Sequence, residues 1–185
     1  MQDQILASQI RACKLCPLHT TRTIGVPAWV GKDYDGLAIM CEAPGREEDV
    51  RGVPLVGRAG QLLDSYLEAV GMSRDQLLLM NRVRCRPPNN DIRSSEAVSA
   101  LAICDQWTVK ELDVYDPRVL VLMGATAAKP IWGTVPVSVA RGQFTTTDRT
   151  YVFTYHPAAA LRNPELGRYI MEDLLLARDL NESLR

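Results

Sequence analysis

The chain has 185 residues, of which 46% are apolar, enough to bury the core of one ordinary domain spanning residues 1–185. It contains no apolar run near the ~20 residues of a membrane span and no signal-peptide pattern, so we expect no membrane partner and a cytoplasmic location. The formal net charge of −1 excludes bulk attraction to a polyanion, so a nucleic-acid partner would require positive charge gathered on one face.

Four apolar runs are typical of buried strands, and the stretches between them have helical periodicity. The expected strands are residues 37–41, 77–80, 119–123 and 151–154. The expected helices are residues 4–12, 59–70, 94–112, 125–132 and 165–184, with a capping signature at Ser94. Strands that alternate with helices predict an α/β fold, here a three-layer α/β/α sandwich around a central, mainly parallel four-stranded sheet.

Polar residues follow three of these strands. Glu42 comes after the first strand, Asn81 after the second, and His156 shortly after the last. Because ligands bind at the carboxyl ends of the strands in such sheets, we expect these residues to share one rim. Some of the polar residues near these strand ends have plainer interpretations when taken alone. A lone histidine is often structural, Asn81 fits a strand-end cap, and the acidic run 47–49 fits a solvated loop.

The cysteines form a second pattern. Cys13 and Cys16 are a C-x-x-C pair, while Cys85 and Cys104 stand far along the chain. Without an export signal a disulfide framework is not expected, so two close and two distant thiols suggest a tetrathiolate site for zinc or a [4Fe–4S] cluster. The spacing does not choose between the two, and Cys85 and Cys104 could also be ordinary buried residues. Cys41 is left over on a strand.

The most specific patterns are whole segments. Residues 41–49 read CEAPGREED, and residues 153–164 read FTYHPAAALRNP. Together with CKLCPL at 13–18, GRAGQLL at 57–63 and CRPP at 85–88, they resemble the uracil-DNA glycosylase superfamily and, more narrowly, its iron–sulfur branch, family 4. The resemblance covers nearly the whole chain, and the motifs occur in the same order as in that family.

The resemblance implies a DNA glycosylase that hydrolyses the N-glycosidic bond of a flipped pyrimidine, with uracil favoured, in base excision. It implies that the partner is DNA and that the protein is a monomer associated with the nucleoid. Between zinc and an iron–sulfur cluster, it favours a structural [4Fe–4S] cluster as the cofactor. The implied ligands are Cys13, Cys16, Cys85 and Cys104.

The resemblance also assigns roles to residues near the rim. His156 is expected to contact a base carbonyl and Glu48 to act on the water, so these two are the catalytic candidates. The base-binding candidates are Glu42, Ala43, Leu55 and Asn81. The candidates for contact with the DNA duplex are Arg82, Arg84 and Arg86 in one arginine-rich stretch, and Leu161 and Arg162 on an apolar wedge beside a phosphate ligand.

Three residues depart from the family pattern at the pocket. Cys41 stands where the family has glycine, Leu55 where it has a stacking phenylalanine, and Ala160 where a second leucine is usual. These changes leave open a glycosylase whose pocket is reshaped for a modified base, such as a bulky modified cytosine of viral DNA removed in defence. A non-catalytic DNA-binding iron–sulfur module and a zinc-binding interaction domain are further alternatives. The segment 135–143 lacks the histidine of a DNA-crosslinking branch.

Overall fold

A computed structural model of the chain describes residues 2–146 and 149–185. The described residues form one sheet of six strands in the order β1-β3-β2-β4-β6-β5. The strands are β1 (Trp29–Val30), β2 (Leu37–Cys41), β3 (Leu77–Asn81), β4 (Val119–Met123), β5 (Gly142–Thr145) and β6 (Thr150–Thr154). Strands β3, β2, β4 and β6 are mutually parallel, whereas β1 and β5 pair antiparallel at the two edges.

The helices connect the strands and cover both faces of the sheet. They are α1 (Gln2–Ala12), α2 (Arg46–Arg51), α3 (Arg58–Ala69), α4 (Ser95–Tyr115), α5 (Ala125–Trp132), α6 (Val137–Ala140), α7 (Pro157–Ala160) and α8 (Leu166–Ser183). Within the described residues, no helix is both long enough and apolar enough to cross a membrane.

Alternating strand residues build a core on each side of the sheet. In β2, Leu37 and Ile39 pack with residues of α3 and α8, whereas Ala38 and Met40 face the opposite side, where α5 packs. A strand that is buried on both faces reads as a continuous apolar run, which is why the four central strands are visible in the sequence. The predicted α/β/α sandwich with a mainly parallel sheet is confirmed.

The predicted number of strands needs correction from four to six. Edge strand β1 has only two residues, and β5 begins at Gly142 and has no apolar run. Each edge strand pairs antiparallel with a single neighbour, and neither carries the continuous apolar run by which the central strands were recognised.

The main helices lie close to their predicted bounds. Helix α4 begins after Ser94, whose hydroxyl accepts a hydrogen bond from the backbone N–H of Ala97 at 3.3 Å, and it runs to Tyr115. Helix α5 matches its prediction, whereas α2, α6 and α7 were not predicted. These three helices are short, with six, four and four residues, so none of them builds a recognisable period.

Candidate active site

The carboxyl ends of the parallel strands open into a cavity of about 600 Å³. Glu42, Asn81, Gly124 and His156 line it, and they stand at or just past the ends of β2, β3, β4 and β6. Cys41 pairs with Asn81 in the register of β2 and β3, so these strands end level with each other. The expected common rim therefore exists, in the place where parallel sheets bind ligands.

His156 is the residue that precedes α7 and caps it. The backbone N–H of Ala158 donates to Nδ1 at 3.1 Å, so Nδ1 is an acceptor and the proton of the neutral ring lies on Nε2. The pKa of His156 is lowered to about 4, chiefly by burial and also by the Arg162 cation, while Glu48 opposes the shift. The ring is therefore a neutral N–H donor at physiological pH.

Gly124 lets the imidazole approach the end of β4. It has a left-handed φ of 91°, and a Cβ built on it would lie 3.2 Å from the Cβ of His156. A side chain at this position would both strain the backbone and press on the histidine. The close approach fixes the ring beside the cavity.

Glu48 is held by three backbone groups. Its Oε1 accepts from the N–H groups of Val56 at 2.9 Å and Gly57 at 2.8 Å, and its Oε2 accepts from Gly45 at 3.0 Å. The side chain is buried and lines the cavity. A carboxylate has about four lone-pair sites, so one remains on Oε2 to orient a water. Glu48 thus joins α2 to the start of α3 and presents a fixed acceptor.

Glu42 and Asn81 are the other polar residues that were predicted. The hydroxyl of Thr126, on α5, donates to Oε2 of Glu42 at 2.5 Å. Asn81 is buried, and no acceptor for its Nδ2 exists among the described residues. A buried amide donor without a partner is costly, so a ligand in the cavity that accepts this hydrogen bond would gain from it.

Thr126 was missed by the sequence reasoning. It holds Glu42 through its hydroxyl, while its carbonyl oxygen accepts from Nη1 of Arg82 at 2.9 Å. The available signal was its position two residues after Gly124, just past the end of a central strand. A threonine in the first turn of a helix is too common to be selected without its contacts.

The apolar wall of the cavity includes Ala43, Leu55 and Cys41. Leu55 is buried with a left-handed φ of 56°, and its carbonyl accepts from Nη2 of Arg74 at 2.6 Å. Burial raises the pKa of the Cys41 thiol, and the negative charges of Glu42 and Glu48 raise it further, so the thiol stays neutral. Cys41 and Leu55 belong to the same buried cluster as the core of α3 and α8.

The segment expected to form the wedge, residues 160–162, lies partly in the core and partly at the surface. Ala160 is buried in that same core, so the position expected to carry part of the wedge does not face solvent. Leu161 is 41% exposed, and Arg162 is exposed at the cavity rim. Of the expected wedge residues, only Leu161 offers an apolar surface to a partner.

The expectation that Arg82 and Arg84 contact DNA is corrected. The guanidinium of Arg82 is buried against Asp105, with Nε to Oδ1 at 3.0 Å, and that of Arg84 is buried against Glu111 at 2.5 Å. Because both side chains are buried, neither guanidinium is presented at the surface where a phosphate could reach it. Arg86 is half-buried, and its Nε donates to Asn90, a residue that lines the cavity.

Other arginines lie at the mouth of the cavity. Arg46, Arg58 and Arg162 are exposed and line it. Arg46 and Arg58 are the first residues of α2 and α3 and were not selected from the sequence. Their proximity to the cavity depends on the turn between these helices, which brings both helix starts to one rim.

The four cysteines of the predicted ligand set lie in one region. Cys16, Cys85 and Cys104 share a buried apolar cluster formed by α1, α4 and the loop after α1, and Cys13 packs against it. All are free thiols. Within residues 2–146 and 149–185, however, no group of three or more His, Cys, Asp or Glu side chains is arranged to hold a metal ion. The thiols are therefore gathered in one region, but they do not converge on one point as the ligands of a single metal ion would.

Comparison with known proteins agrees with the geometry. The family model described as "Uracil DNA glycosylase superfamily" matches residues 30–178. A type-4 uracil-DNA glycosylase of Pyrobaculum aerophilum is 35% identical over an alignment 186 residues long. The alignment covers 95% of this chain and 93% of the relative. The type-4 uracil-DNA glycosylase of Thermotoga maritima is 34% identical, covering 95% of this chain and 92% of the relative. That of Archaeoglobus fulgidus is 34% identical, covering 87% and 84%.

The family match covers most of the chain, and these relatives align over nearly their whole lengths. The matched range, residues 30–178, includes all the residues that line the cavity. The chain therefore belongs to the uracil-DNA glycosylase superfamily, within which it groups with the type-4 enzymes.

Proposed function

We propose that this protein is a uracil-DNA glycosylase, which hydrolyses the N-glycosidic bond of a uracil flipped out of DNA. The observation that carries the proposal is the pairing, in one cavity, of a neutral His156 donor with an Asn81 amide that lacks an acceptor. Two donors at a concave site suit the carbonyl oxygens of a pyrimidine. The type-4 uracil-DNA glycosylases named above support uracil as the base.

In this proposal the catalytic work is electrostatic. The Nε2–H of His156 donates to a base carbonyl as negative charge builds on the departing base, and Nδ1 stays engaged by the backbone. The Asn81 amide reads the polar edge of the base. The free lone pair of Glu48 orients the water that meets the cationic sugar, and its negative charge offsets the charge of the sugar.

The proposed DNA contacts lie around the cavity. Leu161 is the apolar wedge that fills the space left by the flipped base, and Arg162 binds a phosphate beside it. Arg46 and Arg58 take the phosphate-binding role first expected for the buried arginines. Arg86 lies close to the same opening, since its partner Asn90 lines the cavity.

We also propose that Cys13, Cys16, Cys85 and Cys104 hold a [4Fe–4S] cluster. Four free thiols in one apolar cluster suit iron–sulfur ligation, and buried N–H donors beside them lack acceptors among the described residues. When bound, the cluster supplies a cross-link between the loop after α1, the loop after β3, and α4. The protein is expected to act as a single-domain monomer on DNA in the cytoplasm.

The test is base release from a panel of labelled oligonucleotides, followed by alkali to break abasic sites. The panel contains uracil, thymine, hypoxanthine and modified cytosines, each in single and double strands, with His156→Ala as the control. We expect cleavage at uracil that is lost in the control. Cleavage only at a modified cytosine would show that uracil is not the substrate. No cleavage of any oligonucleotide, with DNA affinity retained, would show that the protein is a DNA-binding module and not an enzyme.

A further inference from the structure

Three side chains in the cysteine-bearing core keep buried N–H groups that the described residues leave without an acceptor. The groups are Nε of Arg22, Nε and Nη1 of Arg84, and Nε1 of Trp107. Proteins rarely bury such donors unpaired, and a charged donor is the most costly to leave unpaired. Since all three side chains lie around one set of thiols, a single acceptor that the protein itself does not supply would satisfy them together.

Arg84 is placed most clearly. It directly precedes Cys85, and its side chain is only 1% exposed. Its Nη2 donates to Thr108 at 3.1 Å and to Glu111 at 2.5 Å, both on α4. Thr108 lies one turn after Cys104, so the guanidinium lies against the helix face that bears this cysteine. Among the described residues, Nη2 is the one nitrogen of this guanidinium that has an acceptor.

Arg22 and Trp107 approach the thiols from other directions. The guanidinium of Arg22 donates to the backbone carbonyl of Cys13, so its positive charge lies beside the first of the four thiol residues. Trp107 belongs to the same apolar cluster as the cysteines. Positive charge and unpaired N–H donors therefore lie in the same region as the thiols.

We propose that Arg84, together with Arg22 and Trp107, donates hydrogen bonds to the sulfur atoms of the iron–sulfur cluster and offsets its negative charge. These side chains thereby set the reduction potential of the cluster and its lifetime in air. The inference rests on the cluster proposed above. Four thiolates bring more negative charge than the iron–sulfur core neutralises, and net charge and hydrogen bonds to sulfur are main determinants of the potential.

Glu111 has the opposite effect in the same buried pair. Its Oε2 accepts from Arg84 and its Oε1 from the backbone N–H of Ala28, so its carboxylate is fixed beside the guanidinium. Removing the arginine charge makes reduction harder, whereas removing the carboxylate charge makes it easier. A purely structural role would instead let water into the core in both variants and move both potentials the same way.

The experiment compares Arg84→Gln, Glu111→Gln and the wild type, all purified without oxygen. Iron and sulfide per chain are measured first, then the midpoint potential by a dithionite titration followed by electron paramagnetic resonance, then the loss of visible absorbance in air. We expect a more negative potential and faster bleaching for Arg84→Gln, and a more positive potential for Glu111→Gln. Arg141→Gln, which breaks an ion pair with Asp173 outside the cysteine cluster, should keep the wild-type potential.

Trp107→Phe keeps the apolar ring while removing one N–H, so it provides a gentler variant if Arg84→Gln does not fold. It should shift the potential in the same direction as Arg84→Gln but by less. The inference would be overturned if iron-loaded Arg84→Gln and Glu111→Gln both kept the wild-type potential or both shifted it in the same direction. An iron-loaded Trp107→Phe with the wild-type potential would also overturn it. A wild-type protein without iron would instead overturn the cluster itself, so the two failures are distinguishable.

Discussion

At the scale of single residues, backbone N–H groups fix the tautomer or the position of the two side chains that we propose to be catalytic. His156 has its donor nitrogen selected by the N–H of Ala158, and Glu48 has three of its acceptor sites filled by loop N–H groups. Both side chains are therefore held in place before any ligand arrives, which is the arrangement expected of a site that works by preorganised electrostatics.

His156 should remain neutral well below physiological pH. Its pKa of about 4 lies below the ordinary value of 6.5, so the fold favours the neutral ring. The corresponding stability is fully present above about pH 6.5 and is lost as pH falls through about 4. Nitrogen NMR of the imidazole, assigned by comparison with His156→Asn, should show the Nε2–H tautomer at pH 5.5. A ring that is doubly protonated at that pH would contradict the assignment.

Glu48→Gln should lower both excision and stability. The amide group of glutamine would face a backbone N–H on one side of the site, so at least one buried donor would lose its acceptor, at a cost of about 1–3 kcal/mol. Thermal unfolding and single-turnover excision of uracil measure the two effects. Glu47→Gln removes the same charge from the exposed neighbour and should leave the melting temperature unchanged. Equal stability of both variants would remove the anchoring role of Glu48.

At the scale of elements, strand register and one short helix assemble the site. Met123 pairs with Thr154, so the residues that follow β4 and β6 emerge side by side and bring Gly124 against His156. Helix α7 then turns the chain so that Ala160 enters the core while Leu161 faces out. Two consecutive residues at the end of this helix therefore differ completely in exposure: Ala160 is buried in the core, and Leu161 is at the surface where we propose that DNA binds.

Leu161→Ala should reduce excision from double-stranded DNA more than from single-stranded DNA. The wedge is needed only where a stacked base has to be replaced, and the exposed side chain contributes little to the core. Excision rates on the two substrates and a melting curve test this. Ala160→Leu serves as the matched variant, because overpacking the core at that position should cost about 1–3 kcal/mol of stability. The same loss of rate on both substrates would exclude a wedge role for Leu161.

At the scale of the whole molecule, charge placement compensates for a net charge of −1. The exposed arginines at the cavity mouth include Arg46, Arg58 and Arg162, whereas Arg82 and Arg84 are neutralised inside. A protein without bulk positive charge can still bind DNA if a few cations face one opening. The sheet and its helices create that opening.

Arg58→Gln should weaken DNA binding about equally for all sequences. It removes one phosphate contact, so the slope of log affinity against log salt concentration should become shallower by about 1. Titrations of a labelled duplex at several salt concentrations measure this slope. Lys32→Gln, an exposed cation paired with Asp75 and not among the residues lining the cavity, should keep the wild-type slope. An unchanged slope for Arg58→Gln would place the DNA elsewhere.

The sequence by itself determined the central sheet, the main helices and the order of the site motifs. Buried strands must be apolar on both faces, and strands that alternate with helices admit few topologies, so local patterns are sufficient for these features. The residues that follow the strands, Glu42, Asn81 and His156, were identified for the same reason. Their common cavity follows from the parallel arrangement alone.

Only the tertiary structure decided which polar residues face inward. Arg84 and Arg86 look alike in the sequence, yet one is paired with Glu111, 27 positions away on α4, and the other lies partly exposed beside the cavity. The same holds for Thr126 and Ala160, whose roles depend on where α5 and α7 pack. Burial is a property of contacts between distant segments, and no local spacing of residues records it.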